Sequence, residues 1–213
     1  MKKRRIKAAV RTLIRSPRLR LNISLLSGLL MNSLYIAANL FPAVSYGSAW
    51  SLAVTLYYAV LAVLRLFLLS ARRERLYPSC LLVARLLLFL DGAIGAVMVY
   101  TVLYGKTIDY PVYIFIAFGI FTAYSVTGSA LGAIRSLKSK SPYTLAVRNL
   151  SLAAALLSLF NLGYTLLISL GAEDRTVILL NILGGGSFLL IIAHLAVRLI
   201  SVTTAKMRDS TLR

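Results

Sequence analysis

Six apolar runs, each about the length of a bilayer, constrain this chain more than any other feature. They cover residues 21–41, 50–70, 79–104, 112–134, 143–170 and 177–202. A hydrocarbon core of about 30 Å needs about 20 apolar residues per helix. Backbone groups cannot stay unpaired in lipid, so such a chain must form helices or a closed barrel. Long runs without strict alternation select helices, because barrel strands alternate lipid-facing and lumen-facing residues. The segments between the runs are short, which leaves no room for a sizeable soluble domain. The fold class expected is an all-α, polytopic transmembrane bundle of six helices. Its parts are a basic cytoplasmic amphipathic arm (residues 1–20), a six-helix transmembrane domain (21–202) and a short cytoplasmic tail (203–213).

The net charge of +18 raises the question of nucleic acid. The placement of the charge argues for a membrane instead. The arm "MKKRRIKAAVRTLIRSPRLR" carries nine Lys and Arg, and the next loop, "PAVSYGSA", carries none. "ARRERLYP" has three Arg, "GKTIDYP" one Lys and one Asp, "RSLKSKSP" three basic residues, and "GAEDRT" one Arg against two acids. Basic loops thus alternate with neutral or acidic ones, as the positive-inside rule requires. Six spans with both termini in the cytoplasm is the consistent topology. Ile6, Val10, Leu13 and Ile14 share one side of a helical arm, which suits a segment lying on anionic lipid. No base-stacking aromatics interleave the charges, so nucleic acid is not expected as a partner. Gly47 and Ala49 offer small residues before Trp50, but the first apolar run is too long and too polar for a usual cleaved signal peptide. Cys80 is the single cysteine, which excludes an intramolecular disulfide.

A faint period runs along the chain. Arg72, Arg135 and Arg198 recur at a 63-residue spacing, as do Asn22, Arg85 and Arg148. Ser16-Pro17, Tyr77-Pro78 and Ser141-Pro142 each precede an outward span, with proline suited to a first helical turn. Three pseudo-repeated helical hairpins would produce this pattern, and so would any six spans joined by short loops.

The candidate site is drawn from polar residues inside the spans. Such charges are costly and tend to face the bundle or a wet cavity. Arg85 lies about 10 Å along the third span and Asp91 about 20 Å, at about 1.5 Å per residue. A six-residue separation puts them on different faces. Arg85 has the length to snorkel to the headgroups. Asp91 does not, so it needs a proton or a charge partner on another helix, with Arg65 or Arg148 the expected partners. Arg20, Arg65, Arg85, Arg148 and Arg198 form either a ring around a basic vestibule for an anionic small molecule or a set of separate snorkelling side chains.

Polar stripes at helical spacing support an interior path. They run through Ser24, Gly28, Asn32, Tyr35 and Asn39 on the first span and Ser51, Thr55, Tyr58, Ala62 and Arg65 on the second. Ser125, Gly128, Gly132 and Arg135 lie on the fourth span, and Arg148, Ser151, Ala155 and Ser158 on the fifth. Gly184, Ser187, Ile191, His194 and Arg198 lie on the sixth. Close helix packing accounts for small-residue stripes equally well. The ligand-binding set expected is Arg65, Arg85, Arg148, Asn32, Tyr35 and Tyr58, with Asp91 as charge partner. Gly184, Gly185 and Gly186 suggest either a broken half-helix, as in some transporters, or a close-packing point. His194 is the sole histidine and no H-E-x-x-H or G-x-S-x-G occurs. No metal, cofactor or catalytic residue is therefore expected.

Four blocks carry a resemblance: "SPRLRLNISLLSGLLMNSLY", "YYAVLAVLRLFLL", "SPYTLAVRNLSLAAALLSL" and "NILGGGSFLL". With them the chain resembles, over nearly its whole length, an uncharacterised family of small six-span integral membrane proteins of Gram-positive, clostridial-type bacteria. The resemblance implies a bacterial plasma membrane and six spans, but no chemistry, and Asp91 lies outside its blocks. The functions these readings leave are a small-solute, ion or lipid transporter or permeation protein, acting as a homo-oligomer because six short helices enclose little volume, or a non-transporting scaffold that binds anionic lipid or a protein. A lipid-modifying enzyme has the least support.

Overall fold

The computed structural model describes residues 17–71, 75–104, 112–136 and 141–211. Most of the basic arm, with Ile6, Val10, Leu13 and Ile14, lies outside the described residues. Eight helical elements follow in order: α1 (Pro17–Tyr46), α2 (Ala49–Ser70), α3 (Leu76–Tyr104), α4 (Val112–Ser136), α5 (Pro142–Ser169), α6 (Asp174–Leu179), a π-helical segment (Leu180–Gly185) and α7 (Gly186–Thr211). No strand occurs among the described residues.

Local chemistry sets the helix ends. Gly47 takes a φ of +64°, which reverses the chain after α1 with no Cβ penalty. Ser48 then caps α2 by accepting a hydrogen bond from the Ser51 backbone N–H at 3.1 Å. Pro142 occupies the first turn of α5, where its missing N–H costs nothing. At the far end of α5, Gly171 takes a φ of +65°, and the Ala172 N–H donates to the Leu167 carbonyl at 3.0 Å. That six-to-one bond is the signature of a Schellman cap.

Five helices are long and apolar enough to cross a bilayer, spanning Leu19–Tyr46, Ala49–Ser70, Leu76–Tyr104, Pro142–Ser169 and Arg175–Ser210. The apolar part of α4, Phe115–Ala130, is shorter. Large apolar side chains coat the outside; Phe89 and Leu190 are 72% and 74% exposed. A soluble monomer rarely leaves apolar patches larger than a few hundred Å² uncovered. Length and coat together make this a multi-pass membrane protein.

α2 and α5 are the most buried helices and form the centre of the bundle. Ala153, Ala154 and Ala155 are all buried on α5, and residues this small let neighbouring backbones approach closely. The heaviest packing joins α1 to α2, α4 to α5, and α3 to α7, while α3 and α4 form no substantial pair among the described residues. The spans are thus grouped differently from three sequential hairpins.

Two expectations about the sixth span are corrected. The triple glycine does not break the helix; the rod continues through one π turn from α6 into α7. A Cβ on Gly185 would lie 3.0 Å from Met98 Sδ and 3.4 Å from the Phe160 ring, so the glycine serves close packing. The polar stripe of this span also does not reach the interior. Ser187, Ile191, His194 and Arg198 are exposed, whereas Phe188, Ile192, Ala196 and Leu199 are buried. The face of small and apolar residues packs against α3 and α5.

Candidate functional site

The stripes on α1 and α2 face the protein. Asn32, Tyr35 and Tyr58 are each 1% exposed, and Ser51, Thr55 and Asn39 are buried with them. α1 and α2 form a tight antiparallel pair, so their polar faces meet α4 and α5 across the bundle.

At one end of this interior lies Arg65, 2% exposed and among the largest fully buried side chains. Its guanidinium reaches toward α1, where a Cβ on Gly28 would overlap it. Glycine at position 28 therefore makes room for the charged group. With the Asn32 amide turned so that Oδ1 faces the arginine, Oδ1 accepts from Arg65 Nε at 3.3 Å and Nδ2 donates to the Gly28 carbonyl at 3.1 Å. Arg65 Nη2 donates to the Leu150 carbonyl at 3.4 Å, and Nη1 finds no acceptor. Both bonds are long for N–H···O contacts, whose usual range is about 2.7–3.2 Å. No carboxylate forms an ion pair with Arg65 among the described residues.

An open-mouthed pocket of about 90 Å³ adjoins this group. Its walls come from four helices: Ser24, Ser27, Gly28, Met31 and Asn32 of α1, Arg65 of α2, Tyr124, Ser125, Gly128 and Ser129 of α4, and Ser151 and Ala154 of α5. The lining is hydroxyl-rich and holds no acid. Ser129 donates to the Ser151 carbonyl at 2.8 Å, which ties α4 to α5 behind the pocket.

Beyond Arg65 the interior is closed by aromatic rings. Tyr35 and Tyr58 stack with centroids 4.5 Å apart and planes within 12°. The Tyr58 hydroxyl donates to the Ala154 carbonyl at 2.8 Å. Thr122 Oγ1 donates to the Ser158 carbonyl at 3.2 Å, so its 2.7 Å contact with the Tyr35 hydroxyl has tyrosine as donor. Past the stack, Trp50 Nε1 donates to Asn161 Oδ1 at 2.8 Å, and Asn161 Nδ2 donates to Asn39 Oδ1 at 3.4 Å. A column of buried polar groups therefore runs from Arg65 to Trp50, interrupted by the tyrosine stack. The Asn161 position was missed by sequence stripes because the fifth-span stripe was traced only as far as Ser158, one turn earlier.

The remaining expected residues lie elsewhere. Arg85 is exposed on the outer face of α3. Arg148 is half-buried on α5, one turn before Ser151, and does not line the pocket. Arg20 and Arg198 are exposed. Asp91 is 6% exposed, yet its Oδ1 has no hydrogen-bond partner. The expected ion pair with Arg65 or Arg148 is not formed, because Arg65 points into the α1–α4–α5 side whereas α3 packs on α7 and α2. Its electrostatic neighbour is instead Tyr57, whose buried hydroxyl is likewise unpartnered. Asp91→Asn is expected to leave the melting temperature within about 2 °C, corresponding to roughly 0.5 kcal/mol. A fall of several degrees in a thermal scan would show that the carboxylate has a partner that this arrangement lacks.

Among the described residues no group of three or more His, Cys, Asp or Glu could hold a metal ion. No protein-family model, curated protein or solved structure matches the chain, so its site must be judged by its own geometry.

Proposed function

We propose that this chain is a bacterial plasma-membrane permeation protein that takes an anionic small molecule, with Arg65 as its anion-binding group and both termini in the cytoplasm. The observation that carries the reading is the column of buried polar side chains through the centre of an otherwise lipid-coated bundle. A protein that only anchors itself needs no such column, because polar groups inside a membrane are costly. Asn32 holds the guanidinium, and Tyr35 and Tyr58 close the path beyond it. The basic-loop pattern supports an orientation with the Arg65 end of the bundle toward the cytoplasm.

A second reading is a scaffold that binds anionic lipid through its basic arm, favoured by the exposed Arg20, Arg85 and Arg198. Flux separates the two. Proteoliposomes containing the chain are expected to take up radiolabelled inorganic phosphate or acetate faster than empty vesicles. Arg65→Gln should reduce that uptake by roughly 10- to 100-fold, the equivalent of one charge-assisted hydrogen-bond set. Folded protein with no uptake above empty vesicles for either anion would leave the scaffold reading standing.

A further inference from the structure

We propose that the Arg65 pocket is a phosphate-binding site entered sideways, through the gap between α1 and α4, from the bilayer rather than along the bundle axis. The proposal rests on reading Arg65 as the anion-binding group, but it does not require flux.

The direction of entry follows from the packing. α1 is held mainly by α2, and α4 mainly by α5, while α1 and α4 touch each other only lightly. The thin wall of the pocket is therefore the α1–α4 seam. Two residues of the pocket lining lie on the outer surface at this seam: Tyr124, 53% exposed, and Gly128, also exposed. Toward the bundle interior the route is blocked by the Tyr35–Tyr58 stack. On the two helices that form the seam, Leu30 and Leu34 of α1 and Ile120 of α4 are exposed apolar residues of the kind that contact acyl chains. By helical rise, Ser24, Arg65, Ser129 and Ser151 lie about 8–13 Å from the ends of their helices, on one side of the bundle. That is a depth reached by lipid phosphate and glycerol groups rather than by the middle of the acyl chains.

The ligand chemistry follows from the donors. The guanidinium is buried, lacks a carboxylate, and has an unused Nη1. Around it, Ser24, Ser125 and Tyr124 supply hydroxyls from two further helices. Donors converging from α1, α2 and α4 suit a tetrahedral oxyanion, which accepts from several directions, and arginine is the side chain that forks onto phosphate. No acid in the lining opposes an anion. A side chain at position 28 would displace the guanidinium from this place.

The same chemistry serves a phosphomonoester in water or the headgroup of an anionic phospholipid. The test uses the full chain, delipidated in a neutral detergent. Melting temperature is recorded with inorganic phosphate against chloride at equal ionic strength, and with phosphatidic acid against phosphatidylcholine in the micelle. Wild type should be stabilised in at least one arm. Arg65→Met should weaken the apparent affinity in that arm by roughly 10- to 100-fold. Gly28→Val keeps the arginine but fills its space, and should weaken binding similarly; Arg65→Lys should give an intermediate loss. A response to phosphatidic acid supports a headgroup site entered from the bilayer; a response to phosphate alone would keep the phosphate site but overturn entry from the bilayer. Equal shifts in wild type and Arg65→Met, or no shift in either arm for folded wild type, would overturn it. Because binding is measured without transport, a chain that binds but carries no flux sinks only the permeation reading, and one that carries flux without this binding sinks only the site.

Discussion

Arg65→Met should raise the melting temperature of the ligand-free, delipidated protein while abolishing anion uptake. The two effects have opposite signs for a physical reason. Arg65 is 2% exposed, has no ion-paired carboxylate among the described residues, and leaves Nη1 without an acceptor. Its two hydrogen bonds, at 3.3 Å and 3.4 Å, are long. Replacing buried ionic groups with apolar residues of similar volume is often stabilising by about 1–4 kcal/mol. Methionine is unbranched and flexible enough to fill the same channel past Gly28. Against that gain, Asn32 Oδ1 loses its donor, at a cost of about 1 kcal/mol. The net expectation is about 0–3 kcal/mol of added stability, or up to several degrees at about 2–4 °C per kcal/mol for a chain of this size. A structural arginine would behave oppositely, since removing one partner of a satisfied buried pair typically costs about 3–5 kcal/mol. A thermal scan in neutral detergent therefore decides whether the guanidinium holds the bundle together or waits for a ligand. A fall of several degrees in Arg65→Met would assign it to the bundle.

This contrast explains which parts of the molecule were legible in the sequence. Five of the six expected spans were, because apolar length is read directly; the fourth run, 112–134, corresponds to a helix whose apolar part, Phe115–Ala130, is shorter. The polar faces of α1 and α2 were also legible. Asn32, Tyr35, Asn39, Ser51, Thr55, Tyr58 and Arg65 recur at three- or four-residue spacing, and all are buried. Periodicity identifies a face, however, and not the side on which it packs. On the sixth span the same rule selected Ser187, His194 and Arg198, which face outward. The competing face of Phe188, Ile192, Ala196 and Leu199 is the more apolar of the two, so a polar-inside rule assigned it to lipid, whereas it is the buried face. Partner choice was equally hidden. In lipid no difference in hydrophobicity directs one helix to another; steric fit and a few hydrogen bonds do so. The pairing of α3 with α7 depends on Gly95 admitting Leu189 and Gly185 admitting Met98, contacts that need coordinates. Asp91 was conspicuous in an apolar run, but its position relative to every arginine depended on that same pairing.

The contacts also have an order that the 63-residue period did not suggest. α1 packs on α2 as α4 packs on α5, and α2 on α3 as α5 on α7. α1 meets α4, α2 meets α5, and α3 meets α7. Exchanging the first three long helices with the last three preserves these pairs, but α1 and α3 also pack on α5 with no comparable packing of α4 or α7 on α2 among the described residues, so the contacts do not form a two-fold repeat. The residues at the centre, where α1, α2, α4 and α5 meet, are the ones whose removal should matter most.

Tyr58→Ala is the variant expected to cost the most stability, about 3–5 kcal/mol, because it removes a fully buried aromatic ring from the centre of the bundle. The ring stacks on Tyr35 of α1 and sends its hydroxyl to the Ala154 carbonyl of α5. Tyr35 crosses in parallel through Thr122, which in turn donates to the Ser158 carbonyl. Tyr58→Phe should cost only about 1 kcal/mol, since it keeps the stack and loses one hydrogen bond to a carbonyl that lies within a helix. The double change Tyr35→Ala with Tyr58→Ala should cost less than the sum of the single changes, by about 0.5–1.5 kcal/mol for the stacked pair. Thermal or denaturant unfolding of the wild type and the four variants (Tyr58→Ala, Tyr58→Phe, Tyr35→Ala and the double change) measures all three quantities. If the stack is the closure between the Arg65 pocket and the Asn161 network, Tyr58→Ala should also raise unselective anion leak through proteoliposomes, whereas Tyr58→Phe should not. A Tyr58→Ala protein that loses under about 1 kcal/mol and stays tight would mean that the two rings fill space without sealing the path.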